Sequence, residues 1–473
     1  MGARPPDCDV VIIGGGPGGL STALGLTRAV KNIRVKVLER AKQYRPMGAG
    51  IGIDVNGMKA IDAIDPSLRK WFNEEGHSLA SSVINDDKGN FIREDKNDTE
   101  KAKRKYGISP TLMGWYEIQQ AFYRLLPQGM VTFDSRFQSY EESTDGVNVT
   151  YTEAGEPKQV HCKLLVGADG YFSAVRQQCL GDGPPDFAGT VFWRARLKVD
   201  KVHEKPQWFF GGEKLGLILP ISETHMVWTC AAPAKLLEEA GVKFDPSNGG
   251  AFRASTQAVA SSPENALERC MVLFKDHPDV LVSLMKQTDP STVAEHGIFT
   301  RAAESYPEHR WGKGRVTLIG DAAHPVRPTG QGLNMTMEDA AELAWHVQQF
   351  GLTASALERF EAKRLPRVKT ILDHAKKQGE AAYNKEGKAA TSNNRALALA
   401  DEWQDFKDGI VFNPLRPDEA QKLASQETAD VPSAGLAIEG NHNVPMLHRR
   451  AAVICGAVAA VALSALAVQA RKS

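Results

Sequence analysis

Gly320-Asp321-Ala322-Ala323-His324-Pro325-Val326-Arg327-Pro328-Thr329-Gly330-Gln331-Gly332-Leu333-Asn334 decides how the rest of the chain is read. An apolar run, Val316-Thr317-Leu318-Ile319, precedes it and predicts a buried strand. Met335–Phe350 follows and predicts a helix with Glu338, Asp339 and Glu342 near its start. A strand that ends in Gly-Asp and crosses a Pro/Gly loop into a helix suits a polar ligand. The carboxylate can accept from a sugar hydroxyl, glycine lets backbone come close, and a helix N-terminus presents free N–H groups.

Two further segments carry the same logic. Val10-Val11-Ile12-Ile13 is an uninterrupted apolar run, as in a central parallel strand. Gly14-Gly15-Gly16-Pro17-Gly18-Gly19 follows it and contains G-x-G-x-x-G. Leu20–Val30 has helical composition, and Val35-Lys36-Val37-Leu38 predicts a second strand ending in Glu39. In that pattern Gly14 permits the tight turn, Gly16 admits a pyrophosphate, and Gly19 lets helix and strand pack closely. Glu39 stands where an adenosine ribose hydroxyl would be bound. The other segment is Leu164-Leu165-Val166-Gly167-Ala168-Asp169-Gly170-Tyr171-Phe172-Ser173-Ala174-Val175-Arg176, again a strand entering a helix. A plain turn at Asp169-Gly170 is the alternative for that dipeptide alone.

Together the motifs G-x-G-x-x-G, D-G-x-x-S-x-V-R and G-D-A-A-H-P-x-x-P-x-x-x-G-x-N resemble the single-component FAD-dependent monooxygenases. That group includes the para-hydroxybenzoate, salicylate and kynurenine hydroxylases and the zeaxanthin-type epoxidases. The likeness runs from about Val10 to about Tyr383. Gly48-Ala49-Gly50-Ile51-Gly52 with Asn56 is similar to the family's stretch beside the flavin ring, and Leu357–Arg367 to its last helix. The resemblance implies an α/β fold. A Rossmann-type FAD-binding domain carries an inserted mixed β-sheet substrate domain, and an apolar C-terminal helix is added.

The resemblance also implies cofactor contacts from Gly14, Gly16, Pro17, Gly19, Glu39, Arg40, Gly50, Asp169, Arg176, Asp321, Gly332, Leu333 and Asn334. The backbone N–H groups of Leu333 and Asn334 would face the flavin pyrimidine edge, where reduced flavin carries negative charge. NADPH or NADH would reduce the flavin. Dioxygen would give a C4a-hydroperoxyflavin that hydroxylates or epoxidises an aromatic or unsaturated small molecule, with no side chain required as nucleophile. One departure stands out. The family places R-x-[DE]-L at a helix start where this chain has Trp115-Tyr116-Glu117-Ile118, so Trp115 occupies the Arg position. Either Arg45 or Gln119 supplies the missing contact, or FAD affinity is reduced.

The FAD-binding domain is expected over residues 1–60, 131–185 and 302–384, and the substrate domain over 61–130 and 186–301. Alternating strand-like patches lie at Val191–Leu197, Trp208–Phe210, Leu215–Leu219 and Met226–Cys230. Phe192, Trp193, Trp208, Phe210 and Trp228 are candidates to line an aromatic pocket, with ordinary sheet-core packing the alternative for each. Arg194 and His225 are polar candidates there, and Pro328 of the Gly-Asp segment is a further pocket candidate.

The remaining features narrow the reading. The chain has 473 residues with 57 Lys+Arg against 57 Asp+Glu, so nothing points to nucleic acid. Six scattered cysteines form no C-x-x-C, as for reduced thiols, and no histidine spacing suggests a metal. Asn97-Asp98-Thr99 and Asn148-Val149-Thr150 match a glycosylation pattern but follow no leader, and Pro6 disqualifies a myristoylation signal at Gly2.

Residues 385–446 read as an extension and linker, with a helical patch near Ala396–Phe406, and 447–473 as a tail anchor. The apolar run Ala451–Val468 is broken only by Ser464 and flanked by His448, Arg449, Arg450, Arg471 and Lys472. At about 1.5 Å per residue it spans roughly 27 Å, against about 30 Å of hydrocarbon. An alanine-rich helix packed on the domain is the alternative. The expectation is a membrane protein with a cytosolic catalytic domain at the endoplasmic reticulum, or at the mitochondrial outer membrane. A same-fold flavin reductase or halogenase and a non-catalytic flavin-binding scaffold are the other functional readings. The halogenase signature W-x-W-x-I-P is absent.

Overall fold

Val10–Ile13, four buried β-branched residues, forms the middle strand of a five-stranded sheet. Having no polar face, it needs apolar cover on both sides, and a parallel sheet between helices supplies that. Across the sheet the order is Val316–Leu318, Leu164–Gly167, Val10–Ile13, Val35–Leu38 and Val131–Thr132, with every neighbour parallel. The computed structural model describes residues 5–46, 49–78, 80–96, 99–242, 244, 265–301, 310–325 and 330–381.

The helix Pro17–Ala29 follows the first strand, with Pro17 at its first turn where no N–H is missed. It lies close to the strand because Gly19 has no side chain: a Cβ there would sit 1.9 Å from the Gly14 carbonyl oxygen. On its other flank it meets Gly332–Phe350, which starts three residues before the stretch expected from sequence. The last helix, Ala354–Ala381, runs on through Pro366, past the expected Leu357–Arg367.

A second, seven-stranded sheet runs Ala294–Thr300, Asp186–Lys198, His225–Pro233, Lys214–Pro220, Gln207–Gly211, Ser81–Asp86 and Phe91–Lys96. It is mixed: Gln207–Gly211 and Ser81–Asp86 are parallel and the other pairs antiparallel. The helices Ala234–Glu239, Ala266–Phe274 and Asp279–Lys286 pack with one face, burying Val191, Trp193, Phe209, Ile218 and Trp228. The opposite face carries Phe192, Trp208, Leu217, Leu219 and Val227. Strand alternation alone separates these two sets.

Between the sheets lies a small antiparallel unit of Gly50–Ile53, Thr111–Gly114 and His77–Ser78. The boundary drawn at residue 61 runs through one packed core. Ile61, Leu68, Phe72, Ile118 and Phe122 are all buried with the strands of the nucleotide sheet. The predicted extension, linker and tail (385–473) fall outside the described residues. Among the described residues no helix is long and apolar enough to cross a membrane.

Candidate functional site

The three loops read from sequence converge where the parallel strands end. The glycine loop is pinned from two directions. The Gly15 N–H donates to Glu39 Oε2 (2.7 Å), and the Ala41 N–H donates to Glu39 Oε1 (2.7 Å), which fixes the carboxylate at the strand end. From the other side the Gln119 amide donates to the Gly15 carbonyl (2.9 Å). Gln119 therefore supports the loop backbone. Arg45 and Arg40 are exposed.

The Asp-Gly turn is a positioning device. Asp169 accepts from Ser173 Oγ (2.5 Å) and from the Ala174 N–H (2.8 Å), so it steadies the first turn of the helix Ala174–Leu180, whose N-cap is Ser173. Burial pushes its carboxyl above the usual range against these donors. Arg176 is expected from sequence to touch the cofactor, and the structure gives it a different task. It is fully buried, pairs with Asp182 (2.6 Å) and donates to the carbonyls of Ala322 (3.0 Å) and Ala323 (2.5 Å). It braces the Gly-Asp loop from behind.

Asp321, in that loop, accepts no hydrogen bond from the described residues, and burial pushes its carboxyl up to about 6. Its neighbours are locked. Asp339 accepts from the Gly320 N–H (2.8 Å), bonds His324 Nε2 (2.6 Å) and pairs with Arg364 Nε (2.7 Å). Burial works to raise its pKa, and the charges of His324 and Arg364 overcome that and hold it low. Arg364 also donates to Glu338 (2.6 Å), which takes two bonds from Arg367 and one from Asn56 (2.7 Å). Asn334 carries the lock onward: its amide oxygen accepts from the Asp54 N–H (2.9 Å), and its nitrogen donates to the Gly330 carbonyl (2.7 Å). The first-turn N–H groups of Gly332–Phe350, including those of Leu333 and Asn334, have no intrahelical acceptor. Gln331, at the N-cap, gives no side-chain cap.

Two observations fit a dinucleotide at this place. The carboxylate of Asp321 is unpartnered among the described residues, in a loop that Gly320 ties to Asp339 of the helix Gly332–Phe350. Among the described residues outside its chain neighbours, a Cβ built on Gly16 would meet nothing nearer than 4.0 Å, so they leave the space in front of that backbone clear. Gly50 lies in the adjoining strand, and Gly48 and Pro328 fall outside the described residues.

The face of the large sheet that carries Leu219 and Ile221 lies on this region: a Cβ on Gly50 would stand 2.7 Å from Leu219 Cδ1. On that face Trp208 and Phe210 stack with ring centroids 6.0 Å apart, and Phe192 stacks on His296 at 5.9 Å. Arg194 hydrogen-bonds His296, and Tyr171 of the Asp-Gly turn acts on it electrostatically. Burial lowers Arg194 to about 10, still a cation at neutral pH. Burial and then the Arg194 charge lower His296 to about 3, a neutral imidazole. His225, at the strand start, bonds Thr224 (2.9 Å).

Trp193 and Trp228 are corrected. Both are fully buried on the opposite face, where Trp193 donates to Glu295 (2.7 Å) and Trp228 to Thr288 (2.8 Å). Adjacent residues of a strand point to opposite sides, so Phe192 and Trp193 cannot share a pocket. His296 and Tyr171 are the polar groups that sequence reasoning missed. Only the cross-strand register, Phe192 opposite His296, would have found the first.

This geometry has relatives. The FAD binding domain model matches residues 7–231 and 283–375. The chain is 27% identical over 387 residues to a FAD-dependent urate hydroxylase of Klebsiella oxytoca, covering 80% of this chain and 91% of that one. It is 27% identical over 407 residues to 3-hydroxybenzoate 6-hydroxylase 1 of Aquipseudomonas alcaligenes, covering 82% and 93%. Among solved structures, Klebsiella pneumoniae HpxO complexed with FAD and uric acid matches with a TM-score of 0.65 and 24% identity, over 86% and 97% of the two chains. Parallel sheet, glycine loop and Gly-Asp loop thus belong to a known class: the chain is a member of the FAD-binding domain family. Within it, this protein is an FAD-dependent monooxygenase.

Proposed function

We propose that the enzyme uses NAD(P)H and dioxygen to hydroxylate a small aromatic anion. The observation that carries this is the face over Gly50–Ile53. It combines flat apolar surface from Phe192, Trp208 and Phe210 with the cation Arg194 beside a neutral imidazole, while Arg196, two residues on, is paired with Glu117 (2.6 Å). Aromatic rings select a flat substrate, and a partly desolvated guanidinium selects an oxyanion. Relatives named for urate, 3-hydroxybenzoate and 6-methylsalicylate support the choice, since all three are flat anions.

In this reading Gly14, Gly16 and Gly19 would hold the FAD pyrophosphate, Glu39 the adenosine ribose and Asp321 the ribityl chain. The N–H groups of Leu333 and Asn334 would be available to the pyrimidine edge. The bound flavin supplies the electron and oxygen-transfer chemistry. The chain's own residues do the rest. Arg194 orients the substrate by its anionic group, Phe192, Trp208 and Phe210 exclude water, and the helix N-terminus stabilises negative charge opposite it. Substrate-stimulated NAD(P)H oxidation in labelled dioxygen is the test. One labelled atom should appear in the product. Oxidation that never labels a product, across a panel of aromatic acids and azaheterocycles, would remove the hydroxylase reading and favour a reductase or redox scaffold.

We also propose that residues 447–473 anchor the catalytic part to a membrane, with the endoplasmic reticulum favoured. The support is the apolar run Ala451–Val468 with basic residues on both sides. Full-length protein should resist alkaline carbonate extraction, and a chain ending near Asn441 should stay soluble with its flavin. Insolubility or flavin loss on truncation would assign the segment to the domain instead.

A further inference from the structure

We infer that the indole of Trp115 forms one wall of the channel holding the middle of the cofactor, between pyrophosphate and ring. The inference rests on FAD lying along the glycine loop, as proposed above. It starts from an inequality among the loop's glycines. A Cβ on Gly14 would lie 2.4 Å from the Ala168 oxygen, on Gly15 2.5 Å from Tyr44 Oη, on Gly18 2.7 Å from Thr336 Cγ2, and on Gly19 1.9 Å from the Gly14 oxygen. The protein's own packing crowds all four positions, with backbone at Gly14 and Gly19 and side chains at Gly15 and Gly18. Gly16 is different, because among the described residues the only heavy atom outside its chain neighbours within 4 Å of its Cβ is Trp115 Cζ2, at 4.0 Å. The clear space in front of Gly16 is therefore bounded by an indole ring.

That ring is well placed to be a wall. The backbone N–H of Trp115 donates to the Ala49 carbonyl (2.8 Å), and Gly114 pairs with Gly50. Four residues further along the same helix, Gln119 holds the Gly15 carbonyl. Positions four apart share a helix face. One face of Trp115–Tyr123 thus spans from the glycine loop to the Gly50–Ile53 strand, the two stretches that a dinucleotide must bridge. Trp115 is only partly buried, so its ring has surface to offer. An indole supplies a flat apolar face and one N–H donor, with no charge. Its contribution to binding should be insensitive to ionic strength, unlike that of a cation against phosphate.

Titration of the apo-protein with FAD, followed by flavin fluorescence and by tryptophan emission at low and high salt, tests this. Trp115→Ala should weaken FAD binding about tenfold or more at both salt levels. Trp115→Phe should keep most of the affinity but lose part of the tryptophan quenching seen with the eight tryptophans of the native chain. Trp115→Arg should bind FAD with an affinity that now falls as salt rises. If Trp115→Ala does not fold, judged by far-ultraviolet circular dichroism, Trp115→Leu takes its place. Native affinity in the Ala or Leu variant, native quenching in Trp115→Phe, or salt-independence in Trp115→Arg each overturns the wall. Gly16→Val separates this from the cofactor placement. If that variant also keeps FAD, the placement fails; if it loses FAD while the Trp115 variants do not, the wall alone fails.

Discussion

Asp339 and Trp208 are held by opposite means. The carboxylate of Asp339 is fully buried and bonded by Gly320 and His324 of the Gly-Asp loop and by Arg364 of the last helix. Trp208 is held by stacking and sheet packing, and its buried indole N–H has no partner among the described residues. Buried charge is stable only in one arrangement, since displacing one partner leaves another unpaired. Apolar contact is non-directional and tolerates substitution of similar volume. The comparison teaches that the cofactor end is specified residue by residue, whereas the opposite face is specified by shape. One surface can change substrate while the other keeps its chemistry.

The sharpest way to break this comparison is Arg364→Ala. It leaves Glu338 and Asp339 buried without their shared cation, and should cost about 3–5 kcal/mol in urea denaturation. A loss below about 1 kcal/mol would mean that the lock is not what holds the Gly-Asp loop. Next comes Gly16→Val, which should lower FAD affinity about a hundredfold, roughly 2.7 kcal/mol, while the apo-protein melts near its native temperature. Coincident loss of fold would show that Gly16 serves packing like its neighbours.

A tryptophan pair tests the two faces of one sheet. Trp193→Phe should cost about 1–3 kcal/mol of stability, through a lost hydrogen bond and a cavity, and leave substrate preference alone. Trp208→Leu should shift KM among aromatic acids more than it shifts stability. The reverse pattern would swap the faces.

The smallest effect concerns Asp321. Its carboxyl in the apo-protein is raised from 3.8 to about 6, so its contribution is complete below 3.8 and lost as pH rises through about 6. Asp321→Asn should flatten apo-protein stability across that window. An unchanged pH profile would show that Asp321 is more solvated than its surroundings imply.

What could be read from sequence follows the same division. Gly14, Gly16, Glu39 and Asp321 lie in short stretches with fixed spacing, because a strand, a loop and a helix start are local objects. Four of the seven strands of the large sheet were visible as patches and Ser81–Asp86, Phe91–Lys96 and Ala294–Thr300 were not, and even among the four Trp193 and Trp208 looked alike. Alternation gives two parities and does not say which one helices will cover. That depended on Ala266–Phe274 and Asp279–Lys286, far along the chain. The pairing of Arg194 with His296 across 102 positions was equally invisible, as was the reach of Arg364 back to Asp339. Trp115 was noticed as a departure from a pattern, and only the empty space before Gly16 gave it a place.

The strand order has a consequence for synthesis. Val10–Ile13 leaves the ribosome first, but one of its neighbours is Leu164–Gly167, and the strand beyond that is Val316–Leu318. The loop after that last strand is fastened by Arg364, well downstream. A nascent chain several hundred residues long therefore carries a glycine loop and no finished cradle. Pairings so distant in sequence form late and leave sheet edges open meanwhile. The cradle closes only after Arg364 has been made, so flavin loading follows nearly complete synthesis of the catalytic part.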